Sequence, residues 1–288
     1  MLISGISMGT VGIFIVLLNK YSIYSIVFFR GLFGTLFLTI VMILTKSISI
    51  SFLYHSFKFH WKYLIIIAII NPLVILFYFL TIQLSGSAFA AFLLYTSGIY
   101  LLLFITLTRE EKISKLNYIC FLLAIIGIFI ITEFWNGNFL SYGLIFGLLS
   151  GFSLGILIFS KKRIYNNRKR IHSTIIKDGN FDIFLTWFST IFLAIFFFPF
   201  GIIDLITLNL FDLIISALLG FIPTAMAFTL YNIGVKNDSG GNIVILSYSE
   251  IIASIIINLF FFPSLSLFTI IGGSFVILAN LLILKYDK

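Results

Sequence analysis

Ten stretches of this sequence, each about 20 residues long, are apolar almost without interruption: 2–18, 23–45, 63–82, 87–107, 116–132, 139–160, 183–203, 211–232, 242–262 and 266–284. About 20 apolar residues in a helix cross the hydrocarbon core of a bilayer. The composition agrees, with 61% hydrophobic and only 10% charged residues and a mean hydropathy of +1.19. Soluble domains are about 45–50% apolar and about 25% charged. A soluble globular domain is therefore excluded, and so is disorder, which needs the opposite balance. The expected fold is all-α and integral to the membrane, with ten transmembrane helices. The first run has no basic region before it and no A-x-A-like site after it, so it reads as a retained helix.

The inventory of reactive side chains is short. Cys120 is the single cysteine and lies inside an apolar run, so neither an intramolecular disulfide nor a thiolate cluster is expected. His55, His60 and His172 fall in polar connecting segments, and no HExxH or CxxC pattern occurs. No GxxxxGK[ST] loop is present either, so ATP-driven transport would need a separate subunit. No metal, no other cofactor and no catalytic group is expected.

The charges decide the orientation. With the N-terminus inside, the inner segments hold 16 of the 18 Lys and Arg residues, the outer loops hold only Lys20, and Arg30 lies within a span. Cytoplasmic loops collect basic residues, so both termini are expected inside. The longest polar segment, KKRIYNNRKRIHSTIIKDGNFD at 161–182, reads as an anchor beside anionic headgroups rather than a nucleic-acid patch.

The chain also repeats. A shift of 153 residues places Tyr95 on Tyr248, Thr96 on Ser249 and Ser97 on Glu250; a shift of 151 places Pro72 on Pro223. A shift of 142 places Gly5 on Gly147 and Gly9 on Gly151. Two five-helix repeats, 1–135 and 136–288, follow as halves of one membrane domain. Five is odd, so the second half enters from the opposite side, the inverted-repeat plan of many secondary transporters. Gly143, Gly147, Gly151 and Gly155 lie four apart, nearly on one helical face. Such smooth faces let helices approach closely where lipid gives no hydrophobic drive.

Certain segments carry a family likeness. They are Phe28-Phe29-Arg30, Pro72 with Phe77-Tyr78-Phe79-Leu80, Ser87–Ser97 (SAFAAFLLYTS), Glu110-Glu111-Lys112 and Leu122–Thr132 (LLAIIGIFIIT). With them the chain resembles the drug/metabolite transporter superfamily, EamA-like branch, which has two five-helix halves. The match is closer in the first half. Where the family often has proline after the Tyr-Thr pair of the fourth span, this chain has Ser97-Gly98; where it often has Glu-Pro in the ninth, this chain has Glu250-Ile251. The resemblance implies transport of small metabolites, the substrate left open, with the third, fourth, eighth and ninth spans lining a central cavity.

Polar groups inside the spans are the candidates for substrate contact. Glu250 is the only acid well inside a span, and intramembrane acids are functional by default. Beside it stand Tyr78, Tyr95, Tyr231 and Tyr248, and the proline kinks with Asn71 and Thr224. Arg30 reads as a structural ion pair or an anchor snorkelling to the outer surface. The leading reading is a non-enzymatic, multi-pass plasma-membrane transporter moving a small polar metabolite, an amino acid or similar, by alternating access, with Glu250 available for proton coupling. The alternatives are a lipid-linked flippase and a non-transporting or enzymatic membrane protein. The partners expected are a small-molecule substrate and the lipid bilayer, with no nucleic acid; the oligomeric state is left open. Single cysteines placed in 164–180, after replacement of Cys120, are predicted to resist impermeant thiol reagents in intact cells. Labelling there without permeabilisation would reverse the orientation.

Overall fold

In a computed structural model, residues 2–45, 50–108, 141–170, 178–237 and 266–286 are described, with short pieces inside 119–130 and 250–256. No strand occurs among them. The helices are α1 (Leu2–Gly9), α2 (Val11–Leu17), α3 (Ile23–Leu44), α4 (Ile50–Ser85), α5 (Ser87–Leu94), α6 (Ser97–Leu107), α7 (Tyr142–Arg170), α8 (Asp178–Ile206), α9 (Leu210–Gly220), α10 (Ala227–Asn237) and α11 (Leu267–Tyr286), with a π-helical segment, Phe221–Met226, joining α9 to α10. Five stretches are long and apolar enough to cross a bilayer: Ile23–Leu44, Phe52–Ser85, Tyr142–Arg168, Phe181–Ile206 and Leu210–Lys236. They fall on the second, third, sixth, seventh and eighth predicted spans. Shorter apolar stretches, Ile3–Leu17, Ser87–Leu101 and Ile270–Ala279, fall on the first, fourth and tenth. The fifth and ninth spans, the Glu110-Glu111-Lys112 turn and His172 lie wholly or mostly outside the described residues.

Two boundaries differ from expectation. The third span is predicted from residue 63, yet α4 begins at Ile50 and takes in His55 and His60. Residues 50–62 are rich in aromatics and carry no helix breaker, so the helix continues beyond the purely apolar stretch. Likewise α7 runs on to Arg170, three turns into the basic segment. The outer faces are apolar: on α8 Ile203 and Ile206 are 69% and 83% exposed. In a water-soluble fold such a surface would be a liability; against acyl chains it is the correct solvent.

Three helices are interrupted. α1 gives way to α2 at Thr10, whose hydroxyl donates to the Ser7 carbonyl at 2.7 Å. α5 gives way to α6 at Tyr95-Thr96, and the Thr96 hydroxyl covers the Leu93 carbonyl at 2.7 Å. In the π segment, Pro223 offers no N–H to the carbonyl four residues back, Leu219. The Thr224 hydroxyl donates to that carbonyl instead, at 3.0 Å. Backbone groups freed in a membrane must be satisfied internally, and a threonine at or next to each break does this.

The helices pack across the chain. α3 lies along α8 and also against α9 and the π segment; α4 lies along α7 and against α8. Glycines set the closest approaches. A Cβ on Gly31 would come within 2.6 Å of the Ala194 nitrogen, and one on Gly220 within 2.6 Å of the Gly34 nitrogen. Two further contacts share one pattern. A Cβ on Gly155 would meet Tyr100 Cβ, the Ser97 carbonyl and the Leu101 nitrogen at 2.8, 3.2 and 3.4 Å. A Cβ on Gly9 would meet Ala253 Cβ, the Glu250 carbonyl and the Ser254 nitrogen at 2.5, 2.9 and 3.2 Å. Each neighbour of Gly9 lies 153 residues after its counterpart, the shift read from sequence. The glycines themselves are 146 apart, one helical turn from the 142 that sequence matching gives.

Alanine at either glycine would push into backbone atoms, and overpacking of this kind costs about 1–3 kcal/mol. Gly9→Ala and Gly155→Ala are each expected to lower the unfolding midpoint in detergent, measured by fluorescence-detected size exclusion after heating. An unchanged midpoint in both would refute the close approach.

Candidate functional site

Glu250 is 2% exposed and held by two tyrosines from the other half of the chain. The Tyr78 hydroxyl donates to Oε1 at 3.0 Å and the Tyr95 hydroxyl to Oε2 at 2.7 Å. Local structure explains both. Tyr78 lies six residues after Pro72 on α4, and Tyr95 sits at the α5–α6 interruption. The backbone carbonyl of Glu250 faces Gly9, so the same residue makes a helix contact with its main chain and a polar contact with its side chain.

Arg30 does not reach the outer surface. It is 2% exposed, and its guanidinium lies between two rings, 5.2 Å from the Phe79 centroid and 5.1 Å from the Phe228 centroid. Nε donates to the Thr224 hydroxyl at 2.9 Å and Nη2 to the Pro223 carbonyl at 3.0 Å. Nη1 is buried and has no hydrogen-bond partner among the described residues. The snorkelling expectation is therefore overturned: the side chain turns inward, because the π segment offers it both a hydroxyl and a carbonyl. No ion pair joins it to Glu250 among the described residues.

Lys161 is the residue that sequence reasoning missed. Counted with the inner basic loop, it is in fact 3% exposed on the buried face of α7. Nζ donates to Asn232 Oδ1 at 3.0 Å and lies 5.7 and 6.0 Å from the Tyr231 and Phe228 rings. The Asn232 amide nitrogen in turn donates to the Thr186 hydroxyl at 2.8 Å. A signal for this existed. Lys161 continues the stripe Leu154, Leu157, Ile158, Ile164, Tyr165 at helical spacing, and a basic residue in register with an apolar face points inward.

These groups surround one cavity. Its lining includes Arg30, Asn71, Tyr78, Tyr95, Lys161, Tyr231 and Glu250, among apolar residues such as Leu94, Leu154 and Phe228. The space open to water centres is about 70 Å³, enough for several waters at about 10–15 Å³ each. Of the predicted contacts, Glu250, Tyr95, Tyr78, Asn71 and Tyr231 line it. Asn71 also donates to the Ser189 carbonyl at 3.0 Å, tying α4 to α8. Thr224 is not in the lining; it stands behind Arg30 and holds it. Tyr248 lies outside the described residues.

Polar clusters stand at either end of the bundle. Asp212 pairs with Lys20 and accepts from the Tyr21 hydroxyl at 2.8 Å, and the hydrogen bond to Asp212 raises the pKa of Lys20. At the other end Asp182 accepts from the Tyr165 hydroxyl at 2.8 Å, with Lys236 at 3.8 Å.

Apolar spanning helices around a buried, charge-lined cavity define a multi-pass membrane protein. Its relatives agree. Residues 1–133 match the EamA-like transporter family, which bears out the resemblance read from the sequence. An "uncharacterized transporter" of Archaeoglobus fulgidus is 25% identical over 282 residues, spanning 98% of this chain and 93% of that protein. A solved crystal structure superposes with a TM-score of 0.63 at 13% identity, covering 97% of this chain and 93% of the other; at that identity the likeness is one of fold.

Hydrogen bonds to a charged group are worth about 1.5–3 kcal/mol. Tyr95→Phe is expected to destabilise the protein by that order in the native background and by clearly less beside Glu250→Gln. Equal losses in both backgrounds, measured as thermal unfolding in one detergent, would show that the hydroxyl does not serve the carboxylate.

Proposed function

We propose that this protein is a secondary transporter that moves a small polar metabolite, an amino acid or a similar compound, across the plasma membrane by alternating access. The observation that carries the reading is the cavity itself, in which ionisable side chains from both halves of the chain are buried together. Groups of this kind are costly among hydrocarbon chains and mark substrate or ion pathways. Binding between the halves is where transporters of this architecture hold their substrates.

The proposed architecture is ten helices in two inverted repeats, 1–135 and 136–288, with both termini cytoplasmic. The shared contact pattern of Gly9 and Gly155 supports it. So does the pairing of elements: α4 packs on α7 as α1 packs on the π segment and α10, and α3 packs on α9 as α8 packs on α4. A two-fold relation between halves would generate contacts in such pairs. Alternating access then consists of opening first one end and then the other, where Asp212 and Asp182 hold their partners.

Glu250 is proposed as the group that responds to protons or to a cationic part of the substrate. Proteoliposomes preloaded with unlabelled amino acids and organic acids are expected to accumulate the labelled substrate by counterflow. Glu250→Gln is expected to insert normally yet lose that exchange or its pH dependence. Wild-type rate and pH profile in the variant would remove Glu250 from the mechanism, and no counterflow by the native protein with any solute would remove the transport reading.

A further inference from the structure

We infer that the cavity is an anion site: it takes an organic solute of net charge −1, drawn in by the two cations of its lining, Arg30 and Lys161. The inference rests on the transport reading for its destination across the membrane, but the binding chemistry stands on the geometry of the site.

Formal charge comes first. Among the described residues, the ionisable side chains of the lining are Arg30, Lys161, Glu250 and three tyrosines. With the two cations protonated, Glu250 ionised and the tyrosines neutral, these described groups sum to +1. Uncompensated charge in a low-dielectric interior is costly. A bound monoanion restores neutrality, a zwitterion leaves the excess in place, and a cation doubles it.

Donor capacity points the same way. Arg30 uses Nε and Nη2 on Thr224 and Pro223, and among the described residues the buried Nη1 has no partner. A buried donor left unsatisfied costs about 1–3 kcal/mol, which a ligand oxygen would recover. The ammonium of Lys161 has three donors, and one is used, on Asn232. Both cations line the same cavity and contact the Phe228 ring, whose centroid is 5.1 Å from the Arg30 guanidinium and 6.0 Å from Lys161 Nζ. Acceptors for a cationic ligand are scarcer, because each oxygen of Glu250 already receives a tyrosine hydroxyl.

The pinning of Arg30 fits a recognition role. Two rings and two hydrogen bonds fix the plane of the guanidinium, so little side-chain entropy remains to be lost when an oxyanion arrives. Lys161 is the adjustable partner, on a flexible stem from the opposite half.

The test uses the purified full-length protein and four probes of similar build: L-lactate and L-glutamate at net −1, L-alanine as a zwitterion, and L-alaninamide at net +1. Each is titrated at constant ionic strength against chloride. Affinity is read from the rise in unfolding midpoint, and exchange from counterflow in liposomes. At least one monoanion is expected to raise the midpoint saturably, with L-alanine at least tenfold weaker and L-alaninamide inert. Lys161→Gln is expected to weaken the anion response at least tenfold, and Lys161→Arg to restore most of it. The inference is overturned if neither monoanion binds, if L-alanine or L-alaninamide binds as tightly, or if the response survives Lys161→Gln. If that variant does not fold, the ranking of the four probes on the native protein decides. Monoanions that bind but do not exchange would sink transport alone; preferential exchange of L-alaninamide would sink the anion site alone.

Discussion

Placing ionised side chains where water is scarce governs this structure more than any other requirement. A carboxylate or guanidinium taken out of water loses several kcal/mol of hydration even after the protein relaxes around it. Hydrogen bonds must replace that hydration, and their donors and acceptors must come from helices whose own backbone groups are occupied. The interruptions in the helices meet this need. The π segment makes the Pro223 carbonyl and the Thr224 hydroxyl available to Arg30, and the α5–α6 break sets Tyr95 against Glu250. In a regular helix the Pro223 carbonyl would already be used by the backbone.

Glycine supplies the complementary constraint. The charged groups can meet only if the backbones carrying them come close, and in lipid that closeness depends on fit. Gly9 lets the first span lie on the main chain of Glu250, and Gly31 and Gly34 let α3 lie on its neighbours from the second half. The broken helices and the glycine contacts together put an arginine, a lysine and a glutamate around one small space.

Much of this is legible in the amino-acid sequence, for reasons that also mark where legibility ends. Hydropathy reveals spans because the bilayer selects on average apolarity, so the helices fall where the runs lie. Glu250, Tyr78 and Tyr95 stand out because a polar group in an apolar run is conspicuous. Lys161 does not, because it opens a basic segment and is absorbed into the count of loop charges; only its register with Leu154 and Leu157 on the continuing helix reveals its direction. Arg30 is visible, but its orientation depends on the Pro223 carbonyl and the Thr224 hydroxyl, nearly 200 residues later in the sequence. On the inverted-repeat reading, the register escapes for a simpler reason. Glycines four apart match one another at every shift of four, so Gly5 and Gly9 slide along the ladder of Gly143 to Gly155, and the contacts of Gly9 and Gly155 favour a different step.

Ser97 and Glu250 each present their carbonyl to a glycine, in similar surroundings, yet one carries a small hydroxyl and the other a carboxylate. On the inverted-repeat reading, the two positions exchange roles when the protein changes the face to which it opens. Halves of identical sequence would make those two states two-fold related copies of equal free energy, with no resting preference. A single acid on one side of the pseudo-axis removes that degeneracy. The direction in which the empty protein rests is then a property of chemical asymmetry laid over a symmetric shape, and it can drift in evolution by changing one side chain while the scaffold stays as it is.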